Sequence, residues 1–181
     1  DGKFLKTLLQ LDKSTTDVPW GLALLEATTL LVTVEGVDRI MSTDISRGES
    51  SQSNYLVNGN LSGTMRGITR LITGDILIAE TNPTERFTVG GSRITSGGWP
   101  LTLQTAPTNT VVLPSGGFIQ CSTTTDVIRA YNDAGAQTAT ASSGIVNATD
   151  AANCNVGPNG EIAVVWQGAG VDTVRVYSSS T

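Results

Sequence analysis

Histidine is absent from the 181 residues, and lysine occurs only at Lys3, Lys6 and Lys13. Without an imidazole there is no Ser-His-Asp triad, no ordinary general base near neutral pH and no common nitrogen ligand for zinc. Apolar runs are short, and none approaches the roughly 18 residues that a membrane-crossing helix needs. Positive charge is scarce: eleven Lys and Arg face sixteen Asp and Glu, a net charge of −5 with a pI near 4.6. That balance leaves no electrostatic footprint for a nucleic-acid backbone or an anionic membrane.

Threonine and valine are abundant, with 26 Thr and 16 Val against 6 Glu, which is the composition of strands. A chain of this length buries roughly 70% of its unfolded surface, so one domain, or one and a small second, can fold without a metal.

Residues 1–13 place Phe4, Leu5, Leu8, Leu9 and Leu11 along one stripe of a short helix. Two readings stay open for it: a cap on the chain's own sheet, or an arm docked on a neighbouring subunit. Trp20 to Ala27 is ambiguous between helix and strand. From Thr28 the pattern has period two, with Leu30, Val32 and Val34 on one face and Leu31, Thr33 and Glu35 on the other, predicting a half-buried strand. Thr43 to Asn54 is polar and reads as an exposed contact loop carrying Arg47 and Glu49.

Glycines read as turns. Asn58-Gly59 suits a two-residue hairpin, Gly74 a bend between Ile68–Ile72 and Ile76–Ala79, and Gly90-Gly91 a reversal between Phe87 and Arg93. Successive hairpins imply an antiparallel meander. Pro107 and Pro114 deny ladder hydrogen bonds and mark a boundary. Before residue 107 there are nine basic and eleven acidic side chains; after it, two and five.

The expected fold is mainly β: an antiparallel β-sandwich or barrel built from hairpins, with a short N-terminal helix or arm at 1–13. A β-rich domain spans 14–106, and 107–181 forms a smaller charge-poor β domain or a continuation of the same sheets. Strands are expected at 118–120, 126–131, 161–166 and 171–177, the last pair turning at Gly168 and Gly170, and 132–153 reads as a long exposed excursion. Cys121 and Cys154 bracket that excursion, either as free buried thiols or as a bridge. A bridge would stabilise by roughly 3 to 4 kcal/mol and imply an oxidising compartment.

Candidate chemistry is thin. Asp44 with Glu49, or Glu80 with Glu85, are the nearest carboxylate pairs for glycoside hydrolysis, and both sit in or beside turns. A thiolate at either cysteine would lack an activating imidazole. Oxygen ligands crowd Asn147, Thr149, Asp150 and Asn153, but without the spacing of an EF-hand. Asn60 to Ser62 and Asn147 to Thr149 match the short glycosylation triplet, and no phosphate-binding glycine motif occurs. Trp20, Trp99 and Trp166 are the candidates for a sugar-binding aromatic platform; of them Trp166 reads as core, while Trp99, after two glycines and before Pro100, is the candidate ligand contact.

These features suit a non-catalytic structural subunit that self-assembles through sheet edges, loops and its N-terminal arm. A virion component (capsid surface, tail or fibre) or an extracellular filament is the expected setting, on the virion surface or outside the cell. Its partners would be copies of itself and other structural subunits, with no cofactor, nucleic acid or membrane span. The alternative is a secreted adhesin or carbohydrate-binding module with a glycan ligand.

Overall fold

A computed structural model of the chain describes residues 7–9, 11, 18–36, 39–56, 61, 64–81, 83–103, 106–124, 127–142, 148–168 and 172–178. Their strands form four antiparallel sheets. The first contains β1 (Val18–Leu24), β2 (Thr29–Glu35), β3 (Arg39–Asp44) and β4 (Ser53–Leu56). The second contains β5 (Met65–Arg70), β6 (Ile76–Glu80) and β7 (Thr84–Phe87). In the third are β8 (Pro107–Val112), β9 (Phe118–Ser122), β10 (Val127–Tyr131) and β11 (Gln137–Ser142). The fourth comprises β12 (Ala148–Val156), β13 (Ile162–Gly168) and β14 (Thr173–Tyr177). Within each sheet the strands lie side by side in chain order, so every sheet is a meander.

The sheets stack face to face in sequence order, and their first strands pack on one another: β1 on β5, β5 on β8, β8 on β12. Three apolar layers result. Leu31 and Ile40 meet Ile68, Ile76, Ile78 and Phe87 between the first and second sheets. Leu71 and Leu77 meet Trp99, Phe118 and Tyr131 between the second and third. Ile119, Cys121 and Ile128 meet Ala151, Val164 and Trp166 between the third and fourth. β2 lies in an end sheet yet is covered on both faces, Leu31 and Thr33 by the second sheet and Val32 and Val34 by Leu9 and Leu11, which corrects its half-buried reading: all four are buried. The expected sandwich or barrel is not found, because four small sheets share three separate layers and enclose no common interior.

Among the described residues, five turns are built alike, spanning 71–75, 88–92, 113–117, 132–136 and 157–161. In each, the first residue's N–H donates to the fifth residue's carbonyl, and the fourth residue's N–H donates back to the first. The fourth residue is always glycine, with φ between 81° and 97°, a region closed to most side chains. Two turn classes recur along the chain: Leu71, Leu113 and Gly157 open turns between first and second strands, while Thr88 and Asn132 open turns further out. Successive members are 42 to 44 residues apart, the signature of one supersecondary unit repeated.

Other glycines do a different job. A Cβ on Gly21 would lie 2.7 Å from the Arg66 carbonyl, and one on Gly67 would lie 2.8 Å from the Thr110 nitrogen. Both sit inside first strands, where they allow neighbouring sheets to converge. The reading of glycines as turns is corrected at these two positions.

The remaining expectations divide. Hairpins at Gly74 and Gly91 form as expected, whereas Asn58-Gly59 and Gly170 lie outside the described residues, and Gly168 closes β13. Trp20 to Leu24 is strand. Thr7, Leu8, Leu9 and Leu11 are not helical; Leu9 and Leu11 cover Val32, Val34 and Met41 on the outer face of the first sheet. Thr43 Oγ1 lies 3.0 Å from the Leu8 carbonyl. The 43–54 segment is no free loop, since Thr43 is buried, Gly48–Ser51 forms a short 3-10 turn, and Ser53 opens β4. The supposed excursion at 132–153 holds β11 and most of β12. Pro107 opens β8, a position where no preceding ladder bond is lost.

Candidate functional site

The first strands of the four sheets line a groove of about 1040 Å³. Convergence of these strands fixes what projects into it. From β1 come Trp20, Leu22 and Leu24, all exposed. From β5 come Arg66 and Arg70, and the Arg66 guanidinium lies 5.4 Å from the centre of the Trp20 ring. That distance suits a cation–π contact, which restrains both side chains.

The opposite wall is amide-rich and clipped together. Asn109 Nδ2 donates to Asn153 Oδ1 at 2.8 Å and to the Cys154 carbonyl at 2.9 Å. Thr108 donates to the Ala151 carbonyl at 3.1 Å. These bonds join β8 to β12 across the groove floor. Among the described residues, no carboxylate lines the groove. Arg86 pairs with Asp75, and Arg93 with Glu85, but Arg66 and Arg70 have no such partner among the described residues.

A second cavity of about 690 Å³ lies where the turns at 113–117 and 132–136 approach Asn159 and Gly160. Its polar lining is largely committed already, since Asp133 Oδ1 accepts from the Gly117 N–H at 3.0 Å.

The carboxylate pairs singled out in the sequence do not form a site. Glu80 and Glu85 are fully buried, Glu85 paired with Arg93, and no substrate reaches them. Asp44 accepts from the Ser46 hydroxyl at 2.5 Å and the Ser46 N–H at 2.8 Å, which holds its carboxyl below the usual range. Glu49 falls in the 3-10 turn beside it. That arrangement closes a local turn. Asp150 and Asn153 are strand residues of β12, and no metal-sized group of His, Cys, Asp and Glu occurs among the described residues. Asn60 and Asn147 lie outside the described residues.

Trp166 is core, as its sequence context implies. Trp99 is not a surface ligand contact: it is 4% exposed, beneath Arg86, whose guanidinium lies 5.7 Å from its ring. Trp20, the third candidate for the aromatic platform, is the exposed one at 51%. Cys121 and Cys154 are bonded, with Cα atoms 6.3 Å apart across the last two sheets. Of the expected assembly residues, Arg47 is exposed, Leu8, Leu9 and Leu11 are half-buried against their own chain, and Phe4 and Leu5 lie outside the described residues.

No protein-family model matches the sequence, and no curated protein matches it either. Solved structures do match in fold. The WD40 β-propeller domain of Doa1 superposes with a TM-score of 0.67 at 12% identity, over 90% of this chain and 51% of that one. The nidogen–laminin complex gives 0.68 at 16% identity, over 88% and 60%. YCF48 bound to D1 peptide gives 0.57 at 15%, over 95% and 54%. The fold is thus propeller-like, with each sheet a blade and β1, β5, β8 and β12 innermost. This chain spans little more than half the length of those chains.

That likeness corrects the expected function. The neighbours are propeller-type proteins, so the reading as a virion, capsid or tail subunit assembling through edges and an arm is overturned. A sequence signal for the blades existed in the glycine turns at 42 to 44 residues, which match the period of blade repeats. The groove itself carried no motif, because its residues come from β1, β5, β8, β12 and β13, strands spread along the sequence.

Proposed function

We propose that the chain is a non-catalytic binding module of the propeller type whose ligand is an extended protein segment lying along β1, β5, β8 and β12. The observation that carries this reading is the groove: an exposed tryptophan and two exposed leucines beside two arginines and a row of amides. Aromatic and arginine side chains are the usual energetic anchors of protein recognition, and amides supply adaptable hydrogen bonds to a backbone. Two of the similar structures are complexes, one of nidogen with laminin and one of YCF48 with a peptide. The absence of histidine, the bonded cysteines and the sealed Glu80 and Glu85 support a role without catalysis. The disulfide supports an oxidising, extracellular setting.

Selection of random twelve-residue peptides on the immobilised protein tests the reading. Trp20→Ala should weaken the selected peptides at least tenfold, while Val89→Thr, exposed in the outer turn 88–92 and outside the groove lining, should leave them unchanged. Peptides indifferent to Trp20→Ala would overturn the placement of the ligand.

A further inference from the structure

We propose that the groove selects a peptide carrying two carboxylates, with Arg66 and Arg70 as the anion-binding pair. This rests on the groove being a peptide site and specifies what the peptide must contain. The chain has sixteen acidic residues and a net charge of −5, yet none of the described lining residues is acidic and two are arginine. Elsewhere in the molecule, Arg86 and Arg93 are neutralised by Asp75 and Glu85. Arg66 and Arg70 have no carboxylate partner among the described residues, so an arriving carboxylate displaces no internal pair.

The two arginines differ in readiness. Arg66 is half-buried and held against the Trp20 ring. Stacking restrains the guanidinium plane and leaves its N–H edges for a bidentate carboxylate. Arg70 is exposed at the end of the same strand and adds a looser second contact. Four residues of strand separate them by about 13 Å at the usual rise. An extended ligand has the same rise, so its carboxylates should fall four residues apart. Trp20, Leu22 and Leu24 offer apolar contact to the residues between. Two cations within an acidic protein favour a short, doubly charged segment over a polyanion, whose remaining charge would be repelled.

Three blocked peptides test this: Glu-Leu-Ser-Leu-Glu flanked by serines, its double glutamine counterpart, and an isomer with the glutamates adjacent. Fluorescence anisotropy at low and physiological salt is the readout. The first peptide should bind at least tenfold more tightly than the glutamine form at low salt and lose much of that margin at physiological salt. Arg66→Gln should cost more than Arg70→Gln, and the double variant should bring the glutamate and glutamine peptides together. Circular dichroism of each variant checks that it folds.

Equal binding of the glutamate and glutamine peptides, both weakened by Trp20→Ala, would overturn the carboxylate proposal and leave the peptide groove standing. Equal binding of the two glutamate isomers would overturn the four-residue spacing. Binding of tetragalacturonate with no binding of any peptide would overturn both proposals.

Discussion

The contact between the second and third blades and the contact between the third and fourth fill similar wedges with different chemistry. In the former, Phe118 and Tyr131 stack with centroids 5.2 Å apart. Arg86 there donates to Asp75 Oδ2 at 2.9 and 2.6 Å and to the Asp133 carbonyl at 2.7 Å. Gln120, buried, donates to Thr84 Oγ1 at 2.9 Å. The interior of the latter contact relies on aliphatic burial around Trp166 and on the Cys121–Cys154 bond, and its directional bonds, from Thr108 and Asn109 to β12, lie at the groove edge. Directional bonds fix how two blades are turned against each other, because a buried polar group left unmatched is costly. Area and a covalent link hold blades together with less demand on angle. The molecule therefore sets blade angle from the buried interior of one seam, and at the next leaves the interior to adhesion and the directional bonds to the groove edge.

Removing the largest side chain of the adhesive seam should have the greatest effect. Trp166→Ala is expected to cost about 3 to 5 kcal/mol, read as a lower denaturation midpoint in urea. A cost below 1 kcal/mol would mean that the seam does not depend on burial. At the directional seam, Arg86→Met keeps the stem but removes the partly buried pair and the reach to Asp133, for an expected cost of about 1 to 3 kcal/mol. The two substitutions share no partner, so their costs should add within about 0.5 kcal/mol. Strong coupling would show that the seams are not independent.

The smallest effect concerns pH. Burial raises the Tyr131 phenol above its ordinary value of 10.0, partly offset by Arg129. Its unfolded form ionises first as pH rises, so the stability it contributes is complete below about pH 10 and is lost on passing through the higher folded value. Tyr131→Phe should flatten that alkaline decline by a fraction of a kcal/mol, measured as melting temperature between pH 9 and pH 11. An unchanged slope would assign the decline to other groups.

How much of this was legible beforehand depends on range. Period-two patterning and glycine turns announced antiparallel meanders, and Gly74 and Gly91 sit where the sequence put them. The excursion at 132–153 was misread because β11 and β12 are built from Thr, Ala, Ser and Asn, small residues that pack edge and inner strands without an apolar pattern. Gly21 and Gly67 were misread because a packing glycine and a turn glycine look alike until the neighbouring sheet is in view. Glu80 and Glu85 looked like a surface pair because burial is a tertiary property. Trp20 gave no local sign of its exposure, and its partner Arg66 is 46 positions away.

Because each blade touches little besides its immediate neighbours, the protein should respond to load as a row of detachable leaves. Pulled from its two ends, it would shed the first and second blades one after the other. The cystine rivets the third leaf to the fourth, so the last event would be the loss of that pair as a unit, with the 33-residue loop between Cys121 and Cys154 never extending.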